Sequence, residues 1–194
     1  MIVGQLQTNC YLVWCQQTRK TLIIDPGDDA DFIINKIRDL DLAPVGIVVT
    51  HGHFDHVLAV EELRLAFGIP FAMHRTDLCI MRKSVKTSGL VPKPDKFIKE
   101  GEWVKFGREK LKVIETPGHT PGSISLYCKK DSFVFVGDLI FSHGGVGRTD
   151  FSYSSQKKLE RSIKKLLVLP DNTVVYPGHG KQTTIGEFKN NAIF

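Results

Sequence analysis

The sequence predicts a layered α/β sandwich. Two observations carry that expectation. Short apolar segments of strand character alternate with amphipathic segments of helical period in both halves of the chain. Four of the strand-like segments also end in a glycine-containing turn that holds a histidine or an aspartate. Strand ends can converge on one edge of a sheet, where ligands and active sites gather. At 194 residues the chain reads as one domain, 1–194, large enough for a substantial core.

The elements follow in order. "NCYLVWC" and "TLIIDPG" are apolar runs broken by turn residues and are expected as strands. "DADFIINKIRDL" places Phe32, Ile33, Ile37 and Leu40 at helical spacing behind acidic starter residues. "VGIVVT" is a short, fully apolar strand, and "VLAVEELRLAFG" an amphipathic helix stopped by Gly68. "PFAMH" is expected as a strand and "RTDLCIMRK" as a helix. Residues 84–96, "SVKTSGLVPKPDK", hold two prolines and a glycine and are expected as a loop, either a lid or a plain connection. The strands "EWVKF", "LKVIET", "SISLYC" and "SFVFVGD" come next, then the helix "SSQKKLERSIKKLL" and a last strand and turn, "TVVYPGHG". No strong internal repeat shows.

Composition narrows the setting. With 42% hydrophobic and 24% charged residues the chain is ordinary for a globular protein. The net charge of +5 and pI near 9.0 lean weakly toward acidic partners, but basic surface is more often solubilising charge. The basic face of the helix carrying Lys157, Lys158, Arg161, Lys164 and Lys165 is read the same way. Cys10, Cys15, Cys79 and Cys128 form no Cys-x-x-Cys pair and are expected as reduced thiols. The start "MIVGQLQTNC" has no signal-peptide pattern, and no apolar run approaches the roughly 20 residues of a membrane span. A soluble cytoplasmic setting, with no membrane partner, is the expectation.

The chemistry concentrates after the strands. "THGHFDH" holds His51, His53, Asp55 and His56, "TPGHTPG" holds His119, "GDLIF" holds Asp138, and "PGHG" holds His179. Histidine and aspartate are costly to bury unless something pairs with them. One tetrahedral zinc takes three protein ligands and a water. These seven residues supply two such triads and one carboxylate to bridge them. His51 and His53 alternate along an extended backbone and can point the same way, and Asp55 and His56 at the start of the next helix can reach a second ion. A lone His-x-His is a weak signal; joined to three further candidates at strand ends it is strong.

With these motifs in place the chain resembles the metallo-β-lactamase-fold hydrolases. "THGHFDH" matches their His-x-His-x-Asp-His signature. "LIIDPG" with Asp25, "TPGHTPGS" with His119, "VGDLIF" with Asp138 and "YPGHG" with His179 match the remaining motifs in order. The resemblance implies a four-layer αβ/βα sandwich with the site at one edge. It implies His51, His53 and His119 on one metal, Asp55, His56 and His179 on the other, Asp138 bridging, and Asp25 orienting ligands from behind. Asp55 and Asp138 are then also the catalytic carboxylates. "GDLIFSHGGVGRTDF" is most similar to the short relatives of glyoxalase II, the hydroxyacylglutathione hydrolase. The helical domain of the longer enzymes has no counterpart after His179. Their glutathione-binding lysine and tyrosine correspond here to Arg148 and Asp150. Arginine can still grip a carboxylate, so Arg148 and the neighbouring His143 are the expected substrate contacts.

The expected cofactor is two divalent ions, zinc first, with iron or manganese as alternatives. Such a pair gives a hydroxide nucleophile at neutral pH and holds a developing oxyanion. Two dications, two carboxylates and a hydroxide sum to about +1, which favours anionic acyl substrates. A thiol of pKa near 8.5 leaves as thiolate without an acid. The leading expectation is therefore a dinuclear zinc thioesterase acting on small anionic acyl thioesters such as S-lactoylglutathione. The alternatives are a mononuclear iron persulfide dioxygenase, which shares a similar "GRTDF" loop and needs only two histidines and a carboxylate, and a nuclease of the same fold, favoured only by the basic pI. No nucleic acid partner is expected, and the oligomeric state is left open.

Overall fold

The computed structural model describes residues 1–85 and 93–192. Most of the expected 84–96 loop, at 86–92, therefore lies outside the described residues. The first half holds β1 (Ile2–Val3), β2 (Thr8–Asn9), β3 (Tyr11–Trp14), β4 (Lys20–Ile24), α1 (Ala30–Asp39), β5 (Ala43–Val48), α2 (Val60–Phe67), β6 (Phe71–Met73) and α3 (Leu78–Ser84). The second holds β7 (Lys96–Phe97), β8 (Trp103–Phe106), β9 (Glu109–Glu115), β10 (Ile124–Cys128), β11 (Phe133–Gly137), α4 (Gln156–Leu166), β12 (Val174–Pro177), β13 (Thr183–Thr184) and α5 (Ile185–Asn191).

Strand alternation sorts the side chains into layers. One sheet has the order β3-β4-β5-β6-β7, the other β13-β12-β11-β10-β9-β8, and β1-β2 form a small ribbon. On β4 and β5, Leu22, Ile24 and Val48 face the second sheet and pack with Leu111, Val113, Ile124, Leu126 and Phe135. Their neighbours Ile23, Ile47 and Val49 face the other way and pack under Ile33, Ile37, Val60, Leu63 and Met81 of the helices. The second sheet repeats the scheme: Val134 and Val136 point outward to Leu159, Ile163 and Leu166 of α4 and to Ile185 and Phe188 of α5. Successive residues of a strand point to opposite faces, so one apolar run serves two interfaces. The result is the expected four-layer αβ/βα sandwich.

Strand direction puts the turns at one edge. β4 and β5 run parallel, as do β11 and β12, while β9 and β11 flank the antiparallel β10 and so also share a direction. The C-terminal ends of β5, β9, β11 and β12 therefore open at the same side.

Some local expectations are corrected. The helix expected from Val57 begins at Val60, because Phe54–His56 form a 3-10 turn that spends those residues on placing His56. "RTDLCIMRK" divides into a 3-10 turn, Arg75–Asp77, and α3. Phe32 is half exposed, so α1 buries Ile33 and Ile37 rather than the full expected set. The ribbon β1-β2 and the terminal pair β13-α5 were not expected, being two-residue strands or a short helix whose capping box joins Thr184 and Glu187. Among the described residues no helix is long and apolar enough to cross a membrane. Cys10, Cys15 and Cys128 are buried, Cys79 is exposed, and all four are free.

Candidate metal centre

The seven expected donors meet in one cluster. The backbone leaving β5 carries His51 and His53 into it, and the 3-10 turn adds Asp55 and His56. His119 enters from the loop after β9, Asp138 directly after β11, and His179 directly after β12. Close packing there leaves room for nothing larger than glycine: a Cβ on Gly178 would sit 2.1 Å from Asp138 Oδ1 and 2.8 Å from a carbon of the His56 ring.

His51, His53 and His119 form one group whose donor atoms lie within 4.8 Å of one another, Asp55, His56 and His179 form another, and His51, His56 and Asp138 form a third that joins them. In the first, His53 Nδ1 is 3.1 Å from His51 Nε2 and 2.9 Å from His119 Nε2. In the second, Asp55 Oδ2 is 3.5 Å from His56 Nε2 and 3.2 Å from His179 Nε2. Asp138 reaches both: its Oδ2 is 3.6 Å from His119 Nε2 and from His179 Nε2, and its Oδ1 is 3.6 Å from His56 Nε2.

The nitrogens facing away from the cluster define the tautomers. His56 Nδ1 lies 3.0 Å from Asp25 Oδ2, His119 Nδ1 2.9 Å from the Arg148 carbonyl, and His179 Nδ1 3.1 Å from the Leu6 carbonyl. Each of those oxygens can only accept, so each Nδ1 carries the proton and donates. Thr50 donates its hydroxyl to Asp25 Oδ2 at 2.7 Å, so His51 Nδ1, 3.2 Å away, donates to Thr50 Oγ1. His53 is turned round: its Nδ1 faces the cluster and its Nε2 lies 2.8 Å from the Tyr153 hydroxyl. With Nδ1–H donating in the other four rings, each of those rings in its neutral form turns an Nε2 lone pair to the interior, and His53 does so through Nδ1 when its Nε2–H donates to Tyr153, the form in which histidine binds a metal.

This interior fits a cation. Among the described residues, His56 Nε2 and Asp138 Oδ1 are buried with no hydrogen-bond partner. Buried polar atoms are rarely left so. His53 Nδ1 faces both His51 Nε2 and His119 Nε2, at 3.1 and 2.9 Å, so one cation could engage all three nitrogens.

Protonation differs within the cluster. Burial, reinforced by the other imidazoles, holds His51 well below the usual histidine range and His53 down at about 3. Burial also works against a charge on His56, but the carboxylates of Asp25, Asp138 and Asp55 outweigh it and hold that ring up at about 9. Burial opposes ionisation of Asp55, yet the hydrogen bond from His179 and the charge on His56 keep its carboxyl well below the usual carboxylate range.

Outside the cluster, Asp25 sits where expected: buried, in the left-handed region at φ 50°, it also accepts from the Thr50 amide at 2.6 Å. Arg148 lies at the mouth, but its fork is already filled, with Nε and Nη2 donating to the two oxygens of Asp150 at 2.7 and 2.6 Å. Its guanidinium stacks 4.5 Å over Phe151, whose ring is 5.1 Å from that of His53. His143 is exposed in the turn Ser142–Gly144 and, among the described residues, makes no hydrogen bond to the seven donors. Its φ of 60° belongs to a turn packed against α5. His74 pairs with Glu115 and Thr76, away from the cluster.

Three contacts escaped the sequence reading. Tyr153 supports His53, Thr8 donates to Asp55 Oδ2 at 3.1 Å, and the Leu6 carbonyl holds His179. Only Tyr153 had a usable signal, an aromatic residue in a polar turn directly beyond the "GRTDF" loop.

Comparison with known proteins places this geometry. The model of the metallo-beta-lactamase superfamily matches residues 3–179. A protein of Haemophilus influenzae described as hydroxyacylglutathione hydrolase GloC is 36% identical over 203 residues, covering 99% of this chain and 94% of its own. Among solved structures, TTHA1623 in a di-iron-bound form superposes with a TM-score of 0.87 at 37% identity, covering 99% of this chain and 97% of that one. ETHE1 from Myxococcus xanthus superposes with a TM-score of 0.84 at 29% identity, covering 98% and 80%.

Proposed function

The chain belongs to the metallo-beta-lactamase superfamily, and on that premise we propose that it is a metal-dependent hydrolase of small anionic acyl thioesters, S-lactoylglutathione among them. The observation that carries the proposal is the cluster itself: five inward-facing imidazole nitrogens and two carboxylates, with His56 Nε2 and Asp138 Oδ1 buried and without a hydrogen bond. In this reading His51, His53 and His119 would hold one divalent ion and Asp55, His56 and His179 a second, with the Asp138 carboxylate lying between the two groups. Zinc is the first choice, with iron or manganese as alternatives. Ions bound there supply Lewis acidity, lowering the pKa of water and polarising an acyl carbonyl.

The remaining steps belong to side chains. Asp55, held below the usual carboxylate range, stays ionised at neutral pH. It accepts from the Thr8 hydroxyl, which fixes the carboxylate beside His56 and His179. A thiolate leaves without general acid help, whereas an amide nitrogen must be protonated to leave. A substrate carboxylate finds Arg148 at the mouth and takes the place of Asp150 on its fork. That exchange is easy, since the Arg148–Asp150 pair is more than half exposed on both sides and such pairs are weak. The TTHA1623 and GloC likenesses support a catalytic metal pair and a thioester substrate respectively.

A mononuclear iron persulfide dioxygenase is the second reading, favoured by the "GRTDF" loop and by the likeness to ETHE1. One experiment separates the two. Purified protein loaded with zinc, iron or manganese is assayed for thioester hydrolysis and for oxygen uptake on glutathione persulfide. Turnover of S-lactoylglutathione without oxygen consumption is the expected result. Oxygen uptake with iron and no thioester turnover with any metal would replace the hydrolase by the dioxygenase.

A further inference from the structure

The His51, His53 and His119 triad comes from two different sheets, the first two from the loop after β5 and the third from the loop after β9. Asp77 lies between these loops. It ends the 3-10 turn after β6 and is fully buried, although an aspartate inside a protein is costly unless it is paired. Its carboxylate accepts from three donors. Oδ2 takes the amide of Gly52 at 2.8 Å and the Thr120 hydroxyl at 2.6 Å; Oδ1 takes the amide of Gly122 at 2.6 Å. Gly52 stands between His51 and His53, and Thr120 directly follows His119. One carboxylate is thus bonded beside all three histidines. Burial raises its pKa, and the three donors oppose that shift.

The surroundings are cut to fit it. A Cβ on Gly52 would come within 2.6 Å of the Asp77 carbonyl oxygen, and one on Gly122 within 2.6 Å of Asp77 Oδ1. Ser84 of α3 donates its hydroxyl to the Gly52 carbonyl at 3.0 Å, so the residue between the two histidines is held at both its amide and its carbonyl. The Thr120 hydroxyl spends its only proton on Asp77 and therefore accepts from Ser123 Oγ at 2.7 Å, which extends the clamp into the turn before β10. The Asp55, His56 and His179 group has no bond to Asp77; its outer contacts are Thr8, Asp25 and the Leu6 carbonyl.

We propose that Asp77 is a positioning residue that sets the spacing of His51, His53 and His119, and so tunes the affinity of that half of the cluster for a divalent cation without touching the other half. This rests on the metal-centre reading above. It is a claim about spacing: a carboxylate accepting from both loops holds three lone pairs in place, a geometry they would otherwise relax.

The test uses zinc and the full chain. Asp77→Asn leaves one acceptor oxygen and turns an NH2 group toward groups that are themselves donors. It is made in a His179→Ala background, which keeps only the first triad intact, and in a His119→Ala background, which keeps only the second. Zinc dissociation constants are measured by chelator competition. Loss of a contact behind a ligand typically costs 10- to 100-fold in affinity. A weakening of about tenfold or more in the first background, with less than about threefold in the second, is the expected result. Equal losses in both, or none in either, would overturn the proposal and make Asp77 a general structural residue. If Asp77→Asn does not fold, Thr120→Val removes one contact of the clamp, and Thr120→Ser restores the hydroxyl. The valine variant is then expected to weaken the first triad and the serine variant to recover it; no difference between them overturns the proposal. Absence of zinc binding in the wild-type chain would instead remove the metal-centre reading on which the proposal stands.

Discussion

His51 on one side of the cluster and His56 on the other are the same side chain in nearly the same degree of burial, yet they differ in charge. His51 and His56 are both almost fully buried. The first group has no carboxylate behind it: its outer partners are the Thr50 hydroxyl, the Tyr153 hydroxyl and the Arg148 carbonyl. Desolvation wins there, and His51 and His53 stay neutral. Behind His56 lies Asp25, and beside it Asp55 and Asp138, so Coulomb attraction wins over the same desolvation. One half is ready to accept a cation as it stands; the other must first release a proton.

That contrast can be broken most severely at the one residue both halves share. Asp138→Ala should lower hydrolysis by more than about a hundredfold, since even contacts behind a ligand are worth 10- to 100-fold. It should also lower metal content on both sides. A loss confined to one ion would mean that Asp138 does not bridge.

The proton difference itself is the next test. A divalent ion entering the Asp55, His56 and His179 half displaces the His56 proton at any pH below about 9. Its affinity should therefore rise about tenfold for each pH unit between 7 and 8.5 for that proton alone. His51 and His53, already neutral there, contribute no such slope to the other half. Chelator competition in the His119→Ala and His179→Ala backgrounds reads the two slopes separately, and equal slopes would erase the distinction.

Smaller effects sharpen the picture at the mouth. Tyr153→Phe removes the acceptor from His53 Nε2 and should weaken only the first half, by about tenfold. Asp150→Asn frees the Arg148 fork. An exposed pair is worth little, so KM for an anionic thioester should fall only about two- to fivefold, with no change for a neutral one. Arg148→Ala should move the same two KM values in the opposite sense. His74→Ala, away from the cluster, should leave turnover within about twofold of wild type.

The donors were legible in the sequence for a physical reason. Histidine and aspartate are conspicuous after apolar strands because burial without a partner is unfavourable, and strand ends share an edge when strands share a direction. The four layers were legible because Ile23, Ile47 and Val136 alternate with Leu22, Val48 and Phe135 in runs that are apolar throughout. The supporting contacts were not, because they join residues far apart in the chain. Tyr153 meets His53 at a separation of 100 residues, and Leu6 meets His179 at 173. Asp77 lay unremarked inside the segment expected as a helix, "RTDLCIMRK", since only the folded chain shows Gly52 and Gly122 on either side of it. At Arg148 the sequence shows a residue type suited to a carboxylate, but not that Asp150, two residues away, occupies its fork in this structure.

Metal stoichiometry tests the central claim most directly. The protein is produced in medium replete with zinc, iron and manganese, freed of loosely held ions by gel filtration, and its metal content measured by elemental analysis against protein concentration. The seven donors of this cluster predict about two divalent ions per chain, and a stable content of one or none would contradict the account.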